Sequence, residues 1–240
     1  GSGTILLDAA DGITVDAAID PTSVQLDADD DITINAAVSA TMLIDVNAGL
    51  DGSGSATVSG TGSLTVTAAG SDVTIDAGTT SGDIALNGSS TSVTAVDSVT
   101  LTASGGAITT SNTTNDVSAA SLVASAKTGI ELDTTLTDLT VSTSGTGNID
   151  IDEANGANVL NAAATTGSVD VSTATGSLNV TTASASTSVT LTANAGAITD
   201  ANNTANNITA ASLVASSSTG IDLDTNVTNL TATTSGAEFE

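Results

Sequence analysis

A strict two-residue alternation, recurring inside a repeated unit, constrains this chain more than any other feature. The segment Ile5 to Ala17 (ILLDAADGITVDA) aligns without a gap on Val24 to Ala36 (VQLDADDDITINA), an offset of 19 residues. Ile5 matches Val24, Leu7 matches Leu26, Asp8 matches Asp27, Ile13 matches Ile32 and Val15 matches Ile34. Looser copies begin at Met42, Ser63 and Ser98. Each copy is an alternating stretch, a short polar or glycine-containing turn, and a second alternating stretch. Period two puts one set of side chains inside and the other in water, as in a half-buried strand. Strands this short cannot enclose a core alone. Stacked coils can, because each pairs its backbone with the next and the inward aliphatics form continuous ladders. The expectation is an all-β parallel β-solenoid of about 12 coils, each of roughly 19–22 residues. At about 4.8 Å per coil this makes a rod of roughly 55–60 Å. The predicted inward positions are Val24, Leu26, Ile32, Ile34, Val99, Leu101, Ile149, Ile151, Val169, Val171, Val189 and Leu191.

A longer repeat lies over the short one. Residues 98–145 recur as 188–236, offset by 90 residues at first and by 91 after an insertion among the asparagines. Ile108 thus matches Ile198, Leu122 matches Leu213, Gly129 matches Gly220 and Leu139 matches Leu230. At about 20 residues per coil the long unit holds about four or five coils. Residues 1–240 read as one continuous solenoid fragment of a larger repeat protein. Gly1-Ser2 at the start and Glu238-Phe239-Glu240 at the end read as cloning remnants.

Composition agrees with strands and turns. Thr, Ser, Asn, Asp and Gly are abundant, whereas Lys, Arg, Gln and Glu are scarce. Low complexity would also suit a disordered chain, but the sustained alternation and a mean hydropathy of +0.28 favour order. A two-sheet sandwich would not require a gapless 19-residue repeat. With 27 acids and one base, Lys127, the formal net charge is -26. Such a chain cannot neutralise a phosphate backbone, and anionic membranes repel it. No run is apolar and long enough to insert in a membrane. There is no His and no Cys, which excludes Ser-His-Asp and Cys-His nucleophiles, zinc sites with those ligands, and disulfides.

About the last 60% of the chain resembles a known family by its repeat pattern. Ser121-Leu122-Val123-Ala124, Thr128-Gly129-Ile130-Glu131-Leu132-Asp133-Thr134, Leu139, Thr143-Ser144-Gly145 and Ile149-Asp150-Ile151 are similar to the repeats of filamentous-haemagglutinin-type exoproteins. These are large adhesins exported by two-partner secretion to Gram-negative surfaces. The resemblance implies a right-handed parallel β-helix, a secreted or cell-surface shaft, and a part in adhesion or biofilm structure. The family's N-terminal secretion domain has no counterpart here, as expected of an excised stretch of repeats. Two other readings share the repetitive β-structure. One is an extracellular filament or matrix protein whose coils stack head-to-tail between chains; the other is a phage fibre, which would trimerise.

Enzymes also occur on right-handed β-helices. Glycoside hydrolases need two carboxyl groups about a sugar cleft, and lyases of this fold use a basic residue with bound calcium. Lys127 is the one candidate base, and its counterpart in the second long unit is Ser218. No aromatic platform precedes Phe239. The expectation is no enzyme, no catalytic residue and no cofactor. Calcium is the cation to consider. Asp8 and Asp27 are equivalent in adjacent coils, with Asp45 as the expected third member. Outward carboxylates so stacked repel by about 0.9 kcal/mol in water, and a divalent cation would relieve that. Asp29-Asp30-Asp31 and the cluster Asp150, Asp152, Glu153 offer further oxygens. No calcium-roll or EF-hand motif occurs, solvated acidic faces suffice, and no metal site is assigned. The pairs Thr65/Thr67, Thr100/Thr102, Thr190/Thr192 and Thr231/Thr233 suit an ice face only if they stack; β-propensity on a wet strand explains them otherwise. Asn112 to Asn115 and Asn202 to Asn207 are expected to form a turn or an internal asparagine ladder. The sequons at Asn112 and Asn226 arise readily in so threonine-rich a chain. The expected partners are the neighbouring repeats of the same chain, with head-to-tail self-association open.

Overall fold

A computed structural model describes residues 3–111 and 115–236; Gly1-Ser2, Asn112 to Thr114 and the final four residues lie outside the described residues. The described chain holds 27 strands and no helix, and each strand pairing is parallel. It is a β-solenoid. One ladder runs its whole length in unbroken register: Ile13, Ile32, Ala56, Ile84, Ile108, Ile130, Ile149, Val169, Val189, Leu213 and Leu230. That ladder counts 11 turns, one fewer than the repeat length implies. The reason is that coils vary. Register partners are 17 residues apart from Leu122 to Leu139 but 29 apart from Ile44 to Val73. The surplus is taken up in corners, where polar and glycine residues loop out without disturbing the strands.

The first six turns have three faces. Face one stacks Thr4–Ala9, Ser23–Ala28, Leu43–Ala48, Asp72–Ala77, Ser98–Ala103 and Ser121–Ala126. Face two carries the eleven-rung ladder. Face three begins at Ile19 and continues through Ala37–Ala40, Ser63–Val66, Val93–Thr94, Val117–Ser118 and the end of Gly129–Thr135. Inward and outward residues alternate as the sequence requires, and all twelve predicted inward positions are buried. Among the described residues the apolar interior is built of Val, Ile, Leu and Ala.

Near residue 137 the cross-section is rebuilt. Face three ends at Thr134–Thr135: the next turn reaches Thr134 only with Glu153, the last residue of Ile149–Glu153, and no strand pairs with Thr135 from that turn. Face one instead receives Ala157–Thr166, which pairs with Asp138–Thr146 through a register shift between Leu139 and Thr140. The two halves of this strand then support separate strands, Leu178–Val180 and Ala183–Ala185. Three faces result again, but each repeat element has moved round by one. Val99 lies on face one, whereas its counterpart Val189 lies on face two. The 90-residue period is therefore four turns and one further face.

Corners are closed by side chains that accept an amide from the next turn. Asp31 accepts from Ser55 N–H, Ser55 Oγ from Asp83 N–H, and Asp83 from Ala107 N–H. Glycine is required where turns nearly touch: a Cβ on Gly147 would lie 1.3 Å from the Thr128 carbonyl oxygen.

Candidate functional site

A run of stacked carboxylates lies on face two. Glu131 stacks on Asp150, which stacks on Asp170; two residues along each strand, Asp133 stacks on Asp152 and Asp152 on Ser172. Five carboxylates thus occupy outward positions in three successive turns. Asp133, Asp150 and Asp170 have raised pKa values, first through loss of water against the sheet and then through repulsion from neighbouring carboxylates. Ser172 donates its hydroxyl to Asp152 Oδ1 at 2.5 Å. Asp150 and Asp152 take the outward places expected of them. Glu153 does not. It follows Ile149 and Ile151 on the inward set and is only 2% exposed. Sequence reasoning passed over Glu131, Asp133 and Asp170 as stack members; the coil offsets of 19 and 20 residues that align them were available.

The aspartate stack predicted on face one is also corrected. Asp8 does pair with Asp27, but the next member is Asn47 and then Asp76; Asp45 pairs with Gln25. Asp45 would need a coil two residues shorter to meet Asp27, and coil length decides which side chain meets which. Both oxygens of Asp27 accept hydrogen bonds, from Gln25 Nε2 and Asn47 Nδ2, each at 2.8 Å. Burial raises the pKa of Asp45, against a hydrogen bond from Asn47. Similar chains cross turns elsewhere. Asn35 donates to Asp16 and Ser59 to Asn35; Asn158 donates to Asp138, Asn179 to Asn158 and Thr199 to Asn179. In each chain the earlier turn holds the carboxylate, which can only accept, and amides relay the bond onward.

Asp30 and Asp31 line a hollow with Asp83, Ser55 and glycine backbone, yet Asp31 and Asp83 are already occupied by amides. Among the described residues no group of three or more acids is gathered closely enough to hold a metal ion. Lys127 is exposed at a corner. The Thr-x-Thr pairs do not stack on one another: Thr100/Thr102 lie between Thr74/Asp76 and Val123/Ser125, and Thr190/Thr192 between Asp170/Ser172 and Val214/Ser216. Asn202 and Asn203 form a turn on Asp200, with Asn203 in the left-handed region at φ 65°. Asn112 and its sequon lie outside the described residues.

Two kinds of buried polar corner were not foreseen. Glu153 sits where face three ends. Its carboxylate accepts from Leu136 N–H at 3.0 and 3.1 Å, from Thr134 Oγ1 at 2.7 Å and from Asn155 N–H at 3.1 Å. The amide that a continuing strand would have satisfied is satisfied by one acid instead. Burial nevertheless raises the Glu153 pKa, against these bonds. The second kind recurs in both long units with its polarity exchanged. In the first, buried Asp116 accepts from Asp133 N–H and from Thr110 Oγ1. In the second, buried Asn207 accepts from Asp224 N–H but donates from Nδ2 to Asp200 Oδ1 at 2.9 Å. Thr110 corresponds to Asp200 and Asp116 to Asn207, so the carboxylate has changed sides of one hydrogen bond. The Asn207 bond is the leading cause of a lowered Asp200 pKa, followed by the Asn202 amide.

The Glu153 corner also lines a hollow with Asn115, Asp133, Thr134, Asp152 and Ser172. What the fold defines is a repeat protein of the parallel β-solenoid class, organised around its interior ladders. Comparison with protein-family models, curated proteins and solved structures gave no match.

Proposed function

We propose that the chain is a segment of the elongated shaft of a secreted or surface-attached bacterial adhesin, a stiff rod that serves adhesion or biofilm structure. The observation that carries this reading is the eleven-rung aliphatic ladder, continuous from Ile13 to Leu230. Backbone bonds along three faces and an unbroken core resist bending, so the work of the segment is to hold other parts of a protein at a distance. Its acidic faces keep neighbouring rods apart. The similarity to filamentous-haemagglutinin-type repeats supports an extracellular setting, and no catalytic role is assigned. Electron microscopy of the purified chain, with and without millimolar calcium, tests this. Separate rods of about 50 Å, unchanged by calcium, are expected.

A second reading, a head-to-tail filament, has its own support. Both end turns present inward aliphatics to solvent, with Leu7 43% and Leu230 59% exposed. Their outlines match as well: a six-residue strand, Thr4–Ala9, precedes two short pairing segments at one end, and residues 229–234 follow two short segments at the other. Stacking long strand on long strand would continue all three faces from one copy into the next. Filaments at micromolar concentration would favour this reading over the shaft.

A further inference from the structure

We propose that Asn155 is a site of spontaneous deamidation, and that Asn87, in the other Asn-Gly pair of the sequence, is protected by the fold. The reaction joins the Gly156 backbone nitrogen to Asn155 Cγ. That nitrogen gives its proton to hydroxide and attacks; a five-membered imide closes, and the side-chain nitrogen leaves as ammonia after taking a proton from water. Water then opens the ring at either carbonyl, leaving aspartate or isoaspartate. In sum, an amide and water become a carboxylate and ammonium, with no change of oxidation state.

The two sites differ in each requirement. Asn155 is exposed in a bend between Ile149–Glu153 and Ala157–Thr166, and among the described residues no hydrogen bond holds its side chain. The Gly156 N–H makes no hydrogen bond among the described residues, so it is free to lose its proton. A glycine is also demanded there, since a Cβ would lie 2.8 Å from both the nitrogen and the oxygen of Ser177. The corner therefore keeps the one following residue that least shields Cγ. Asn87 lies half-buried inside the strand Ile84–Gly88, whose register with Ala56–Gly60 keeps it extended. An extended backbone, with ψ of about +115°, turns the next nitrogen away from Cγ. Gly88 N–H is also engaged, donating to Ser92 Oγ at 3.2 Å. The carboxylates of Asp152 and Glu153 slow proton loss near Gly156, so the contrast between the two sites, rather than either absolute rate, is the readout.

Isoaspartate at 155 would add a carbon to the backbone of a tightly held corner. Ala154 N–H is fixed to the Thr134 carbonyl at 2.8 Å, Ala157 N–H to the Ser177 carbonyl at 3.0 Å, and Asn155 N–H to Glu153. The product would loosen the place where one face ends and another divides, making it the point at which the rod ages.

The test is incubation of the folded chain in mildly alkaline buffer, followed by peptide mapping by mass spectrometry and isoaspartyl methyltransferase labelling. Loss of one hydrogen bond and of the strand geometry at Asn87 predicts conversion about tenfold or more faster at Asn155. In denaturant the two sites should convert at similar rates. Equal rates in the folded chain would overturn the proposal, as would an unreacted Asn155 over a period in which the denatured chain converts at both. Asn155→Ser, which keeps the backbone amide on Glu153, should abolish the isoaspartyl label at this peptide and leave the circular dichroism unchanged. A label that persisted there would place the reaction elsewhere.

Discussion

At the scale of single residues, the inside of this rod is sensitive to how each polar atom is partnered. Glu153→Ala would strand the Leu136 and Asn155 amides and the Thr134 hydroxyl in a buried corner. It should cost about 2–4 kcal/mol in urea unfolding. Glu153→Gln retains an acceptor for the amides, and Thr134 can turn to accept from the new NH2, so its cost should stay below about 1.5 kcal/mol. A second test uses the exchanged corners. Asn207→Asp sets a carboxylate against Asp200 Oδ1 and the Val180 carbonyl, where Asn207 now donates. Loss of about 2–3 kcal/mol is expected. Asp200→Thr in the same chain restores the pairing seen at Thr110 and Asp116. A double-mutant cycle should therefore show a coupling of about 1 kcal/mol or more; additive losses would mean that the corners are not interchangeable.

At the scale of the strand, period two makes neighbours behave oppositely. Ile151 is buried and inward, whereas Asp150 is outward among like charges with a raised pKa. Ile151→Asp should cost about 4 kcal/mol or more, by burying a charge with no partner in the eleven-turn core. Asp150→Asn should be neutral or stabilising by a few tenths of a kcal/mol, since it removes repulsion from Glu131 and Asp152 on a screened surface. Thermal melts of the two variants side by side decide whether the strand faces are correctly assigned. The one-face displacement between long units belongs to this scale too. Val123 and Val214 are counterparts, both outward and exposed, yet they project from different sides of the rod. Any surface shared by the two units is thus shown in two directions.

For the whole molecule, the balance of carboxylates sets the response to pH. Asp45, Asp133, Asp150, Glu153 and Asp170 all have raised pKa values, and Asp200 a lowered one. A raised carboxyl pKa means that the folded chain binds protons more readily than the unfolded chain. Stability from those five groups is present at low pH and is lost as pH rises from the ordinary carboxylate range through their raised values. Asp200 acts in the opposite sense, stabilising above its ordinary value and losing that contribution on acidification. Protonation also lowers the magnitude of the net charge, so repulsion falls in the same direction as the five raised groups act. The melting temperature should therefore rise between pH 7 and about pH 5, and added salt at pH 7 should raise it as well. A melting temperature that fell over that interval would show that carboxylate repulsion does not govern the rod.

Much of this was legible in the residues. Alternation in Ile13-Thr14-Val15 or Val99-Thr100-Leu101 determines inside and outside, because side-chain direction along a strand depends on nothing beyond the strand itself. The gapless match of Ile5–Ala17 on Val24–Ala36 likewise determines stacking, since equivalent strands in register can bury their faces only against one another. The sequence was less able to say which residues meet across turns. That depends on the length of every intervening corner, and these vary, so Asn47 rather than Asp45 follows Asp27. Nor could it show that face three ends and face one divides. Glu153 looks like one more surface acid until its inward parity is combined with the missing strand beside it. Local pattern determined the elements and their buried sides. Only the closed cross-section, in which all corners must fit at once, decided the number of turns, the members of each stack and the burial of the acids Asp116 and Glu153.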